Sequence, residues 1–219
     1  MIGLLKFTND SGNCIQEIMN GTIEKILEYW FGGFPDAYSA DLTRYKMWFE
    51  EGHQYDQEIF INFGSVYQQA VEGELDHWLD MPRGRLAIII LLDQFSRHIH
   101  RGYPESFAQD EKAQAICIEG IGSGDDMQLH PIERSFFYLP LEHAENIERQ
   151  RLSVQAYIRL LADVPESHQQ PYRDMLEYAM KHHYVIETFG RFPELNEILG
   201  RQSSEEELVF IKKQEYTFL

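Results

Sequence analysis

The chain has 219 residues, a length that suits one hydrophobic core of ordinary domain size. Its 36 acidic residues outnumber its 19 lysines and arginines, and the formal net charge of −17 disfavours nucleic acid and anionic membranes as general partners. Hydrophobic residues make up 43% of the chain, which is typical of a globular protein and excludes a disordered one.

The cysteine content and the missing fingerprints narrow the class of protein further. Cys14 and Cys117 lie far apart and form neither a metal-ligand spacing nor a disulfide framework, so we predict a reducing, cytoplasmic location. No apolar run is long enough to span a bilayer. The common nucleotide-binding, zinc-protease and nucleophilic-serine motifs are absent, so we predict no cofactor and no metal ion.

Apolar residues recur with the 3.6-residue period of a helix along nearly the whole chain, which predicts an all-α fold of stacked antiparallel helices. Residues 1–20 are expected to be a leader, and residues 21–219 a single all-helical domain. A loop is expected at 120–126, and Pro140 is expected to kink or split its helix. The predicted helices, in chain order, cover about 22–31, 54–72, 82–101, 105–119, 131–139, 141–162 and 168–189, and two capping-box patterns near residue 203 open a last one.

Polar residues are crowded into three apolar blocks, at 93–102, 133–143 and 189–193. A structural helix usually keeps its charges on the solvated side, so such crowding indicates either a buried polar network or a lined cleft. The candidate site residues, from these blocks and their surroundings, are Asp93, Arg97, His98, Arg101, Glu133, Arg134, Glu142, His143, His182, Arg191 and Arg201.

The first block leaves three interpretations open. Asp93 and Arg97 are spaced as an intrahelical ion pair, and a helical wheel places both opposite an apolar stripe that includes Leu92. The basic residues that follow repel one another unless carboxylates from elsewhere meet them. One interpretation is an internal network with Glu133, Glu142 or both. A ligand-facing cleft and an ordinary solvated face are the other two.

The other blocks are also open to a structural interpretation. Glu142 is adjacent to His143, but neighbours in a helix point about 100° apart, so a buried structural Glu142 is favoured over an acid–base couple. His182 lies at the edge of an apolar stripe, where a histidine is more often a hydrogen-bonded core residue than a metal ligand.

Several runs in the chain resemble those of the DUF924 family, a domain of unknown function. This resemblance covers about residues 22–212 and implies a helical fold similar to the tetratricopeptide-like superhelix, with no established activity. The runs that carry it include Ile26-Leu27-Glu28-Tyr29-Trp30-Phe31-Gly32, Leu91-Leu92-Asp93-Gln94-Phe95-Ser96-Arg97-His98, Glu133-Arg134-Ser135-Phe136-Phe137-Tyr138-Leu139-Pro140 and Phe189-Gly190-Arg191-Phe192-Pro193.

One departure from the family pattern lies directly after the last of these runs. The family usually continues with His-Arg-Asn, whereas this chain has Glu194-Leu195-Asn196. If that basic pair contacts an anionic ligand in the relatives, binding of the anion is weakened or altered here.

Two functions from different classes follow. The first is an interaction scaffold, whose polar blocks lock the helix packing while a groove binds a peptide or protein. The second is an enzyme or binder of a small anionic ligand, in which arginines hold the ligand and His or Glu moves a proton. Whether the three blocks converge around an open pocket or in a sealed core distinguishes the two.

Overall fold

The computed structural model describes residues 10–213, and within that range it is helical, without a strand. The all-α prediction is therefore confirmed, and the helices form one domain. The helices are α1 (Asp10–Phe31), α2 (Tyr45–Phe49), α3 (Asp56–Glu72), α4 (Pro82–Ile89), α5 (Ser96–Ile99), α6 (Asp110–Ser123), α7 (Pro131–Glu142), α8 (Ile147–Asp163), α9 (Gln170–Phe189) and α10 (Glu205–Lys213). None of the helices within this range is long and apolar enough to cross a membrane.

Helix ends follow the local signals of the sequence. Pro82 opens α4 and Gly190 ends α9 with a φ of +71°, a left-handed conformation that glycine adopts at little cost. At α10 the amide of Glu207 donates to the hydroxyl of Ser204, and the amide of Ser204 donates to the carboxylate of Glu207. The capping-box pattern at Ser204 is therefore confirmed, whereas the hydroxyl of Ser203 accepts from Asn196 instead.

Several predicted boundaries were wrong, among them the starts of α6 and α8, which lie at Asp110 and Ile147 rather than near 105 and 141. α1 begins at Asp10 rather than near residue 22, so part of the expected leader is helical; residues 1–9 lie outside the described range. The loop expected at 120–126 starts only after Ser123, where Gly124 ends α6 in the left-handed conformation. α7 runs through Pro140 without being split, because that proline lies in the last turn and the helix ends two residues later.

The core is formed around a rod that is buried on all sides. α4 continues through a π-helical segment, Ile90–Phe95, into α5, and this rod contacts α1, α3, α6 and α7. The segment buries Leu92 and Asp93 alike, each with a fully covered side chain. The interpretation of this face as an ordinary solvated one is therefore wrong for Asp93, because a central helix is covered on all sides.

A second, smaller apolar cluster lies apart from the main core. It consists of Val185, Ile186, Phe192 and Leu195, with Phe107 and Phe189 among the partly buried side chains packed against it. α9 contributes to both clusters, and α8 packs along α9 more extensively than any other helix pair in the described range. The polar residues of interest lie where the rod, the end of α7 and α9 approach this second cluster.

Candidate functional site

A cleft brings together residues from all three polar blocks. Its empty volume, measured out to the mouth, is about 270 Å³. Arg97 reaches it from α5, His143 from the end of α7 and His182 from α9. The lining residues are Arg97, Phe107, Asp110, His143, His182, Phe192, Glu194 and Leu195.

The imidazole of His143 is held on the cleft wall by a buried carboxylate. Its Nδ1 lies 2.8 Å from Oδ1 of Asp93, while Gln94 donates to Oδ2 of the same carboxylate at 2.6 Å. Burial raises the pKa of Asp93, but His143 and Arg97 outweigh it and lower that pKa to about 2. Asp93 is therefore ionised at neutral pH, so Nδ1 of His143 carries the shared hydrogen, and in the neutral ring Nε2 is the acceptor.

The guanidinium of Arg97 is engaged by three oxygens. It donates to the main-chain carbonyl of Asp93 at 2.8 Å and to both carboxylate oxygens of Asp110 at 3.0 and 3.1 Å. Burial opposes the charge of Arg97, but the carboxylates of Asp93 and Asp110 raise its pKa overall. Burial raises the pKa of Asp110, and Arg97 only partly offsets this effect. The side chains of Arg97 and Asp110 are 18% and 15% exposed, so the pair is reached from the cleft only at its edge.

A second titratable pair lies behind the cleft. Nδ1 of His182 donates to the carbonyl of Tyr178 at 2.8 Å, and Oε2 of Glu142 lies 3.4 Å from the same nitrogen. Burial raises the pKa of Glu142 to about 8, opposed by the hydroxyl of Tyr157. Burial also lowers the pKa of His182 to about 3. Glu142 and His182 are therefore both neutral at pH 7. The imidazole ring of His182 also lies 6.4 Å from that of His143, measured between ring centroids.

His98 and Arg101 do not take part in the cleft. Both bind Asp56, which opens α3: Nδ1 of His98 lies 2.8 Å from its Oδ1, and Arg101 donates to its two oxygens at 2.6 and 2.9 Å. Burial lowers the pKa of His98, while the hydrogen bond to Asp56 opposes that shift. This cluster holds α5 against α3.

Two residues of the second block, Glu133 and Arg134, make contacts away from the cleft. Glu133 accepts from Arg83 at 2.5 Å and from the amide of His130 at 3.0 Å, the latter as part of the cap of α7. Arg134 donates to Asp163 at 2.8 Å. These contacts join α7 to α4 and α8, and neither residue lines the cleft.

Arg191 and Arg201 fix the segment that follows α9. Arg191 donates to both oxygens of Glu207 at 2.7 and 2.8 Å. Arg201 donates to both oxygens of Glu145 at 2.6 and 2.9 Å, and to the carbonyl of Phe192 at 3.1 Å. Because Phe192 lines the cleft, Arg201 supports the cleft wall indirectly.

The interpretation in which Glu133 or Glu142 neutralises the basic residues of the first block was wrong. Asp56, Asp93 and Asp110 take that role. Glu133 is occupied by Arg83 and by the helix cap, and Glu142 is kept neutral by burial.

Asp110 and Phe107 are cleft residues that the sequence did not single out. Both lie outside the three blocks, in the stretch that leads into α6. Asp110 lies in the first turn of α6, where a carboxylate commonly stabilises the positive end of the helix dipole. That common role gave no reason to select Asp110 as a site residue. Glu194 and Leu195, noted only as a departure from a family pattern, both line the cleft.

A protein site for a metal ion such as zinc needs three or four converging ligands. Among the side chains that the structure describes, all of them after residue 18, no three of His, Cys, Asp or Glu come together as a metal site. The cleft therefore offers hydrogen bonds and charge from the side chains named above.

Comparison with other proteins places the chain in a family without assigning an activity. No curated protein matches the chain. A solved structure, that of a protein of unknown function, ATU0120, from Agrobacterium tumefaciens, is similar, with a TM-score of 0.74 and 29% sequence identity over 90% of this chain and 99% of the other. The model for a bacterial protein of unknown function, DUF924, matches residues 26–215. The chain therefore belongs to the DUF924 family.

Proposed function

We propose that the cleft binds a small polar molecule and that His143 transfers a proton to or from it. The observation that carries this proposal is the contact of 2.8 Å between the buried carboxylate of Asp93 and Nδ1 of His143 on the cleft wall. A carboxylate that holds one ring nitrogen fixes the tautomer and the orientation of the other, which is the arrangement a general base requires.

The second pair supports the same chemistry. Glu142, with a pKa of about 8, keeps its proton at neutral pH, whereas Asp93, with a pKa of about 2, does not. Two carboxyl groups whose environments drive their pKa values apart are typical of acid and base roles in one site. His182 lies between Glu142 and the cleft.

The size of the cleft limits the ligand. The empty volume of about 270 Å³ includes open solvent at the mouth, so the enclosed part of the cleft is well below the range of about 300–1,000 Å³ typical of pockets for drug-sized molecules. A molecule of a few heavy atoms fits, and a nucleotide does not.

Thermal unfolding of the full chain against a panel of small amines, carboxylates, phosphates and neutral polar compounds tests the proposal. A ligand present at about 100 times its Kd adds roughly 2.7 kcal/mol to stability and raises the Tm by a few degrees. The rise is expected in the wild type and in His77→Gln, which alters an exposed histidine, and is lost in a folded His143→Gln variant. An equal rise in His143→Gln contradicts the proposed site.

The interaction scaffold is the second candidate, together with the tetratricopeptide-like array and the peptide or protein partner expected from the sequence. Its support is one face of α9, on which Met180 and Tyr184 lie one turn apart and are exposed by 56% and 59%. Peptides selected from a display library are then expected to bind the wild type and His143→Gln equally and to lose binding in Tyr184→Ser. The cytoplasmic location stays part of this proposal, supported by the free, buried thiol of Cys117.

A further inference from the structure

The last helix, α10, carries apolar side chains on its solvent side. Leu208 and Val209 are exposed by 47% and 49%, and they are neighbours in the chain. The opposite side of α10 is already packed, since Phe210 contacts the second apolar cluster and its ring lies 5.0 Å from that of Phe189. A helix with apolar residues on both sides is typical of one that is covered on both sides.

The position of α10 on the rest of the protein is fixed through its packed side. The carboxylate of Glu207 accepts from Arg191 at 2.7 and 2.8 Å and from the amide of Ser204 in the helix cap at 2.7 Å. Glu207 is only 3% exposed, so this contact anchors the first turn of the helix. The exposed side of α10 is therefore presented to solvent in one orientation.

Charges of opposite sign flank the exposed apolar pair. At about 100° per residue, Glu205, Leu208, Val209 and Lys212 share an arc of about 100°, and Glu207 lies on the far side of the helix. Glu205 lies about one turn before the apolar pair and Lys212 about one turn after it. Within the described residues, neither Glu205 nor Lys212 forms an ion pair. Both charges are thus available to a partner.

This face is complementary to itself about a two-fold axis. If the axis passes between Leu208 and Val209, an antiparallel copy of α10 places Lys212 opposite Glu205 twice, because each charge lies three residues from the apolar pair. Leu208 of one copy then meets Val209 of the other. A parallel arrangement would instead set each charge beside a like charge, and it would align the two helix dipoles.

We infer that α10 pairs with α10 of a second copy of this chain, in an antiparallel arrangement about this two-fold axis. This surface is distinct from the cleft, so the dimer does not depend on the proposed function. The contact is limited to one face of a nine-residue helix in each copy. It therefore buries less than the roughly 1,200 Å² of a standard interface, and the dimer is expected to be weak and concentration-dependent.

Sedimentation velocity of the full chain over a concentration series measures the association. The wild type is expected to shift from monomer to dimer, and added salt is expected to weaken the dimer because salt screens its exposed ion pairs. A carbodiimide joins a carboxylate to an amine that it contacts. In a mixture of ¹⁴N- and ¹⁵N-labelled wild type, this reagent is expected to link Glu205 of one isotope to Lys212 of the other. The cross-link needs no variant.

Charge reversal tests the antiparallel register directly. Glu205→Lys sets two lysines opposite each other at both ends of the pair, so the dimer Kd is expected to rise about tenfold or more, and Lys212→Glu is expected to act likewise. The double variant restores the attraction in the opposite sense, so its Kd is expected to return to near the wild-type value. The control is Glu148→Lys, which makes the same change of charge at an exposed position on α8 and is expected to leave the Kd unchanged.

Rescue by the double variant distinguishes a dimer contact from a role of these charges within α10. Glu205 in the first turn and Lys212 in the last turn both favour the helix dipole, so a purely structural role predicts that the double variant is the most damaged. Circular dichroism checks that each variant is folded. A wild type that stays monomeric overturns the inferred dimer, and an equal Kd in the wild type and the single variants overturns α10 as its interface. A folded double variant without rescue, or a missing mixed-isotope cross-link, overturns the antiparallel register.

Discussion

The guanidinium of Arg97 holds both oxygens of Asp110, at 3.0 and 3.1 Å, and the two residues join the end of the central rod to the first turn of α6. The same guanidinium lies 3.5 Å from the fully buried carboxylate of Asp93. Arg97 therefore lines a cleft and at the same time neutralises two carboxylates that support it, so its removal affects folding before it affects binding.

Arg97→Ala is expected to lower the free energy of unfolding by about 3–5 kcal/mol, because it leaves the charges of Asp93 and Asp110 buried without a counter-ion. Urea denaturation monitored by circular dichroism measures the change. The matched control is Arg151→Ala, which breaks an exposed pair with Glu148 and is expected to cost under about 1 kcal/mol. Equal losses in the two variants would show that the buried pair contributes no more than a surface one.

The pair formed by Glu142 and His182 is expected to shape the pH dependence of stability. The pKa of Glu142 is raised from 4.5 to about 8, so the folded state holds the extra proton and stability falls as pH rises between these values. The pKa of His182 is lowered from 6.5 to about 3, so the unfolded state holds the extra proton and stability rises between about 3 and 6.5. Between pH 4.5 and 6.5 the effects of the two groups on stability oppose each other. Between pH 6.5 and 8 only Glu142 of this pair contributes, so its effect there is to lower stability as pH rises.

Glu142→Gln tests this assignment because glutamine stays neutral at every pH. The slope that Glu142 adds above pH 6.5 is at most about 1.4 kcal/mol per pH unit, and it is expected to disappear in the variant. Urea denaturation at a series of pH values from 5 to 9 provides the measurement. Glu148→Gln, at an exposed position, is expected to keep the wild-type profile. An unchanged profile in Glu142→Gln would assign the pH dependence to other groups.

Two glycines of α6 provide a test of packing within one helix. A Cβ added to Gly120 would overlap the ring of Phe137 and the side chain of Arg85, whereas one added to Gly122 meets nothing within 4 Å. Gly120→Ala is expected to destabilise the protein by about 1–3 kcal/mol, and Gly122→Ala to stabilise it by about 0.5–1 kcal/mol. Thermal unfolding of both variants measures the difference. Stabilisation by both would mean that Phe137 and Arg85 move aside freely.

Glu145 is expected to control the order of the segment that follows α9. Its Oε1 accepts from the amide of Phe192 at 2.7 Å, and both of its oxygens bind Arg201. Glu145→Ala should speed hydrogen exchange at the Phe192 amide by about tenfold or more, since a charge-assisted hydrogen bond is lost. Glu148→Ala is the control, and an unchanged Phe192 rate in Glu145→Ala would exclude this role for Glu145.

Much of the fold could be predicted because helix signals are local. Gly190 and Pro82 mark helix ends through backbone conformation alone, and the capping box at Ser204 needs only residues within one turn. The continuation of α7 through Pro140 could not be predicted from local signals, because the free energy that a proline costs a helix depends on how many turns follow it.

The site was harder to predict because its partners are distant in sequence. The candidate residues from the blocks and their surroundings included Arg97, His143 and His182, and the structure places these three around one cleft. Polar crowding is an equally good signal for ion pairs such as those of Arg134 and Arg191, which do not line it. Asp110 carried no unusual signal, since its significance depends on a guanidinium that only the tertiary fold brings near.

The rod from Pro82 to Ile99 imposes a constraint on how the chain can vary in length. Removing or adding one residue within its first, α-helical segment, Pro82–Ile89, would turn every later side chain by about 100° around the rod. Arg97 would then leave Asp110, and His98 would leave Asp56, although these pairs lie in different clusters. Substitutions can alter either cluster separately, whereas an insertion or deletion in this segment disrupts both at once.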